Sequence, residues 1–351
     1  MLKLGIIGYG GIAAYHYKNL KKYKRLKVKG IYDLNPLRLE VGKKDGLIAY
    51  ASKEALLADP EIDIVLVATT NEVHKELSIE AMAAGKHVIC EKPVTMSSKE
   101  LEEVMEAAKK YNKVFTINQN RRTNKDFILM KQSVEAGLLG DVYVIESRVE
   151  GSRGMPKGWR TIKALGGGMM FDWGVHLIDQ LMYMMDEPVV NVFCKMYNIE
   201  YPEVDDNFRL TMTFESGLTA QVEVSTNNYI THPRWYVLGT HGTLRIEDWD
   251  CDGKIVRCLD KESVWEDEIV YTKAGPTKTM APRRPETIET IVLSEPMDVE
   301  DSITIVYDNL IDAIEGIKPL TITAEQAMRV MKVMEAAFES VEKQQAIQVK
   351  I

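Results

Sequence analysis

Leu4-Gly5-Ile6-Ile7-Gly8-Tyr9-Gly10-Gly11-Ile12-Ala13 is the stretch that decides the fold of this chain. Residues 4–7 read as a buried strand and run directly into a glycine turn that opens a helix over 12–20. The turn has the G-x-G-x-x-A form, with Gly8 for the tight reversal, Gly10 for close approach of a pyrophosphate and Ala13 for packing of helix on strand. Its candidate cofactor contacts are Gly8, Gly10, Gly11 and Ile12, where the helix amino end meets negative charge. Asp33 ends the next strand, 28–32, at the distance where a carboxylate accepts hydrogen bonds from an adenosine ribose. This context predicts a dinucleotide site, with NAD favoured over NADP because Asp33 disfavours a 2′-phosphate. Arg38, a turn or two on, has the opposite chemistry and would stack on adenine or hold such a phosphate.

Outward from the turn, strands and helices alternate: a strand over 64–68, a helix over 73–84 ending at Gly85, a strand over 87–90, a helix over 98–111 and a strand over 114–118. Such alternation predicts an α/β fold, a doubly wound parallel sheet of Rossmann type, over a first domain 1–122. The composition changes after Arg122. A helix over 127–135, a strand over 141–149, a glycine-rich helix entry and alternating strands over 208–214 and 219–225 predict a sheet-rich α+β domain over 123–351. Gly239-Thr240-His241-Gly242 between 235–238 and 243–246 marks a hairpin, and Thr323-Ala324-Glu325-Gln326 has capping-box form ahead of a helix to about 341. Residues 273–285, rich in proline, glycine and basic residues, read as a long loop.

The 351 residues are 45% hydrophobic, enough for two cores, and 44 Lys+Arg against 52 Asp+Glu give a net charge of -8, which argues against a nucleic-acid partner. Cys90, Cys194, Cys251 and Cys258 have no CxxC spacing and read as reduced thiols, so a cytoplasmic location is expected. The opening residues lead straight into the glycine turn, leaving no room for a cleavable signal, and no apolar run approaches membrane-spanning length, so no membrane partner is expected. The histidines and carboxylates show no zinc-like spacing, and no metal is expected.

Two further segments carry chemistry. Glu91-Lys92-Pro93 follows an apolar strand, and Gly166-Gly167-Gly168-Met169-Met170-Phe171-Asp172-Trp173-Gly174-Val175-His176 places a carboxylate and an imidazole four residues apart, on one face of a helix. A lysine ammonium can stabilise a developing alkoxide, and an imidazole titrating near neutrality can take a hydroxyl proton. A charged Asp172 one turn earlier would raise the proton affinity of His176.

Together with Thr69-Thr70-Asn71-Glu72-Val73-His74, these motifs make nearly the whole chain resemble the Gfo/Idh/MocA family, the glucose-fructose and inositol dehydrogenase-like oxidoreductases. The resemblance implies that the second domain carries a large open, mainly antiparallel sheet whose outer face forms a homodimer or homotetramer. It implies hydride transfer between NAD(P) and a ring secondary alcohol of a sugar, glycoside or cyclitol; an aromatic pocket at Trp159 and Trp173 would suit a glucoside, oxidised at a ring hydroxyl such as C3, better than a small cyclitol. Lys92 would then lie beside nicotinamide and the reacting hydroxyl, with Glu91 and Pro93 shaping the turn. His176 would be the general base, and Asp172 would bind substrate or orient both. Thr69, Asn71 and Asn120 would face the nicotinamide side, and His74 would cap a helix or line the pocket. Arg122 would reach the substrate or anchor the second domain. Trp159 and Arg160 resemble a substrate-side loop, where Trp159 would stack on a sugar face, and Trp173 adds aromatic surface where many relatives carry an aliphatic residue. Two other classes stay open: a redox-neutral glycoside-cleaving enzyme with tightly bound NAD, and a non-catalytic NAD or sugar sensor on the same fold, which would have no need of Lys92, Asp172 and His176 together.

Overall fold

The computed structural model describes residues 1–260, 269–278, 282–294, 296 and 303–351. Leu2–Ile7 (β1) is buried from Leu4 onward, and after it come Gly11–Leu20 (α1), Leu26–Tyr32 (β2), Pro36–Lys44 (α2), Ile48–Ala49 (β3), Lys53–Leu57 (α3) and Ile64–Val67 (β4). His74–Ala83 (α4), His87–Cys90 (β5), Ser98–Tyr111 (α5) and Phe115–Ile117 (β6) complete the unit. The six strands are all parallel, in the order β3-β2-β1-β4-β5-β6. Every residue of β4 is buried, as a strand covered by helices on both faces requires. Strand order reverses between β1 and β4, and the carboxyl ends of these two strands open a crevice there.

Residues 33–63 contain two helices and a short strand for which the sequence shows no core-facing stripe. The reason is exposure: Leu37 and Val41 of α2 point outward, 75% and 48% exposed. What starts α2 is local, since the Asn35 side chain accepts the Leu37 N–H at 2.9 Å and Pro36 occupies the first turn.

Beyond Lys125–Glu135 (α6) lie Val142–Glu150 (β7), Val175–Met184 (α7), Val189–Tyr197 (β8), Asn207–Phe214 (β9), Thr219–Ser225 (β10), Trp235–Gly239 (β11), Gly242–Ile246 (β12) and Gly253–Cys258 (β13). Val270–Thr272 (β14), Gly275–Thr277 (β15), Ile288–Leu293 (β16), Thr304–Ile314 (α8), Ala324–Lys343 (α9) and Ile347–Gln348 (β17) follow. Nine strands form one sheet in the order β16-β13-β12-β11-β7-β10-β9-β8-β17, parallel at β7/β10 and antiparallel at its other pairs. Burial alternates along β10, so one face of the sheet packs on the core and the other is more open. The capping box at Thr323 forms with Gln326, and α9 lies across β8 while also touching α5 and β6. The long loop expected over 273–285 is corrected in part: β14 and β15 pair as a separate hairpin, whereas residues 279–281 lie outside the described residues. Among the described residues no helix is long and apolar enough to cross a membrane.

Candidate active site

The β1/β4 crevice is a cleft of about 820 Å³ whose floor includes Gly8, Gly10, Gly11 and Ile12. Gly8 has φ +89°, and a Cβ there would stand 2.5 Å from the Ala68 carbonyl oxygen, so the turn requires glycine. No side chain caps the start of α1, which leaves its first N–H groups for an anion. Asp33, at the end of β2, accepts the Tyr9 N–H on Oδ2 (2.6 Å) and the Asn35 N–H on Oδ1 (2.7 Å), tying the glycine turn to the neighbouring strand. Arg38 Nη1 lies 3.5 Å from the same carboxylate and 3.2 Å from where a Gly10 Cβ would be. An open glycine surface, uncapped amides and a carboxylate at the strand end fit a dinucleotide.

Further along the cleft stand Thr69, Asn71, Glu91, Lys92 and Asn120. Asn71 Nδ2 donates to the Gly166 carbonyl (2.9 Å), which joins the first half of the chain to the glycine triplet of the second. Glu91 Oε1 accepts Asn118 Nδ2 (2.8 Å) and lies 2.7 Å from His16 Nε2, while His16 Nδ1 is 2.6 Å from the Tyr307 hydroxyl on α8. Burial pushes the Glu91 carboxyl up, but these neighbours hold it below its ordinary range. Glu91 thus anchors the turn that presents Lys92. His74 does not face the cleft: its ring is fully buried between the carbonyls of Pro93 (2.8 Å) and Thr69 (3.3 Å), bracing two cleft loops.

Lys92 meets the second half of the chain at Asp172. Its Nζ donates to the Asp172 carbonyl oxygen (2.6 Å) and to Oδ1 (3.1 Å), leaving one of its three donors for a ligand. Arg160, stacked on Trp159 at 4.5 Å, donates to the same carboxylate through Nε (2.7 Å to Oδ2) and Nη2 (3.2 Å to Oδ1). Burial raises the Asp172 carboxyl, yet Lys92 and Arg160 outweigh it and hold the group below its usual value. Asp172 sits in a π-helical turn, Met170–Gly174, that runs into α7, where His176 follows.

His176 corrects an expectation. Its Nδ1 is buried without a hydrogen-bond partner among the described residues, so the ring is not bonded to Asp172 there. Burial, then Lys92 and Arg121, place its pKa well below the ordinary 6.5. The expected rise in proton affinity from Asp172 is not seen: burial and the two cations set the direction, and Asp172 itself is paired with Lys92 and Arg160. His176 is therefore a neutral imidazole at neutral pH.

The adjacent arginines part company. Arg121 lines the cleft and stacks on Trp173 (4.8 Å) and Trp249 (5.6 Å), with the Trp173 ring 5.9 Å from His176. Arg122 turns inward, is 8% exposed, and grips Asp179 with Nε (2.7 Å) and Nη2 (2.6 Å) while Nη1 donates to Gln326 Oε1 (2.7 Å). The substrate-facing expectation for Arg122 is thereby corrected in favour of the anchor. Arg122→Met should cost about 3–5 kcal/mol in urea unfolding, since it strands Asp179 as a buried unpaired carboxylate, with little change in cofactor affinity. Unchanged stability would count against the anchor. Trp249 carries no signal in the sequence that links it to Trp173; the two meet at 5.8 Å only through the sheet.

A second cavity of about 590 Å³ adjoins the cleft, with Arg160, Asp172 and Trp173 lining both, and Glu150 and Ser225 at the ends of β7 and β10 bounding it. Among the described residues no group of three or more His, Cys, Asp or Glu could hold a metal ion.

A six-stranded parallel sheet that opens this cleft at its glycine turn has the architecture of a dinucleotide-binding domain. Residues 2–119 match the oxidoreductase family with NAD-binding Rossmann fold, and 127–245 match the GFO/IDH/MocA C-terminal domain. The chain belongs to the Gfo/Idh/MocA family. It is 35% identical over 202 residues to an uncharacterized oxidoreductase of Schizosaccharomyces pombe, covering 55% of either chain. It is 30% identical over 231 residues to the myo-inositol 2-dehydrogenase of Thermotoga maritima (64% of this chain, 68% of the relative). With the D-glucoside 3-dehydrogenase of Escherichia coli K12 it shares 31% over 195 residues, spanning about half of that relative (54% of this chain, 55% of the relative). Among solved structures, an NAD-binding protein from Listeria innocua superposes with TM-score 0.89 at 41% identity, covering 99% of this chain and 96% of that one.

Proposed function

We propose that this chain oxidises a ring secondary alcohol of a sugar, glycoside or cyclitol with NAD, using Lys92, Asp172 and His176. The observation that carries the reading is their convergence: a lysine from the first half and a carboxylate and neutral imidazole from the second line one cleft that begins at the glycine turn. NAD, when bound, supplies the hydride acceptor. The free Lys92 donor binds the hydroxyl oxygen and stabilises its growing negative charge, and the His176 imidazole takes the hydroxyl proton. Asp172 holds the ammonium in place, and the adjoining cavity, with Trp173 on its wall, receives the rest of the ring or its substituent. Relatives named as inositol and glucoside dehydrogenases support this substrate class.

The test incubates the purified protein with NAD and a panel of inositols, aldoses and glucosides, following NADH absorbance and product mass together. Loss of two hydrogens matched by NADH is expected. Glycoside cleavage without NADH, or silence across the panel with NAD bound, would overturn it.

Asp33 supports the preference for NAD. Asp33→Asn keeps an acceptor for the Tyr9 N–H but removes the charge, and is expected to raise the NADP/NAD ratio of kcat/KM about tenfold or more, a difference near 1.4 kcal/mol. Arg38→Ala should then reverse much of that gain. An unchanged ratio in Asp33→Asn would contradict the role given to the carboxylate.

A further inference from the structure

Asp205 stands outside the cleft, in the connection between β8 and β9, yet it is bonded to the segment that carries the site. Its Oδ2 accepts the Met170 N–H at 2.7 Å, and its main-chain carbonyl accepts the Met169 N–H at 2.8 Å. Its Oδ1 lies against Gly168, where φ is +105° and a Cβ would stand 2.2 Å away. The Met170–Gly174 turn has no side-chain cap of its own, so this remote carboxylate, 6% exposed, takes that place. A carboxylate at a helix amino end satisfies orphan N–H groups and complements the dipole.

We propose that Asp205 is a positioning residue: its carboxylate sets the place of the Met170–Gly174 turn and thereby holds Asp172 and His176 against Lys92. The inference rests on the reading of those three groups as the reacting set. Burial raises Asp205 to about 7 against the pull of the Met170 N–H. The ionisable groups facing it are Asp206, which raises it further, and the Cys194 thiol on β8, itself pushed up by burial. The Met170 N–H pulls this value down, so that one bond favours the ionised carboxylate and weakens as pH falls through about 7, even though burial makes the protonated acid the form the folded state as a whole favours. His176, held well below 6.5, does not account for a loss of turnover in that range.

The test compares wild type, Asp205→Asn and Asp205→Ala on the best panel substrate over about pH 5.5 to 9. In Asp205→Ala, kcat should fall at least about tenfold at the upper end, with KM for NAD within about twofold. Asp205→Asn, whose amide oxygen still accepts the Met170 N–H, should recover most of that loss and lose the inflection near neutrality. Thermal melting gives a readout independent of turnover. Because the folded state raises this acid, wild type should lose stability relative to Asp205→Asn as pH rises from about 4 to the folded value near 7, and the offset should stay constant above it. An alanine variant with wild-type kcat throughout, an asparagine variant that keeps the inflection, or a pH-independent offset would each overturn the proposal. If the alanine variant does not fold, the asparagine variant carries the test alone. The expected offset with no substrate oxidised would overturn the dehydrogenase reading, and the positioning role with it, while leaving the cap itself in place.

Discussion

Lys92→Ala is expected to lower kcat about 10³-fold while KM for NAD stays within about threefold. The asymmetry follows from where the ammonium spends its hydrogen bonds. Two go to Asp172, and the remaining donor faces the cleft, where its partner gains charge only as the alcohol approaches an alkoxide. An interaction that strengthens in the transition state is lost from kcat rather than from binding. The glycine turn and Asp33 lie at the other end of the cleft and keep their geometry, so cofactor affinity is spared. The fold should also survive, because Asp172 retains both Arg160 contacts. Steady-state kinetics with both ligands varied would check this, and a variant with near wild-type kcat would remove Lys92 from the chemistry.

His176→Ala should reduce kcat by about 10²- to 10⁴-fold, the range for loss of a general base. The pH dependence sharpens the expectation. A base acts only when neutral, and His176 is held well below 6.5 by burial, Lys92 and Arg121, so its acid limb in wild type lies well below neutrality, beneath the step assigned to Asp205. Removing Lys92 removes one repelling charge. The residual activity of Lys92→Ala should therefore show the His176 limb displaced upward in pH. A limb in the same place in both proteins would mean that the imidazole and the ammonium do not share a site.

How much of this was legible in the sequence differs by the range of the contacts involved. The glycine turn, Asp33 and the alternation around them are local, and each element advertises itself by periodicity or turn chemistry. Lys92, Asp172 and His176 were legible as residue types in motifs, but their electrostatics were not: burial, with Lys92 and Arg121 nearby, lowers the proton affinity of the imidazole that Asp172 was expected to raise. Arg121 and Arg122 are indistinguishable as neighbours. The 3-10 turn Asn120–Thr123 turns one to the cleft and the other to Asp179. His74 reads as a helix cap or a pocket residue until the Pro93 and Thr69 carbonyls are seen to enclose it. Asp205 and Trp249 reach the site only because nine strands, paired out of chain order, bring them there.

The chain of contacts from Glu91 through His16 to Tyr307 bears on how such a protein can be recombined. The first sheet looks like an exchangeable cassette, severable after residue 122 with its nucleotide preference intact. Cut there, it leaves Tyr307 behind on α8 and takes from His16, fully buried in the intact chain, the Nδ1 partner at 2.6 Å that braces it under Glu91 and the turn presenting Lys92. It also loses α9, which touches α5 and β6. Crossovers that preserve both a working cleft and its anchorage are those that carry the carboxyl-terminal helices along with the amino-terminal sheet, so cofactor choice and the far end of the chain are inherited together.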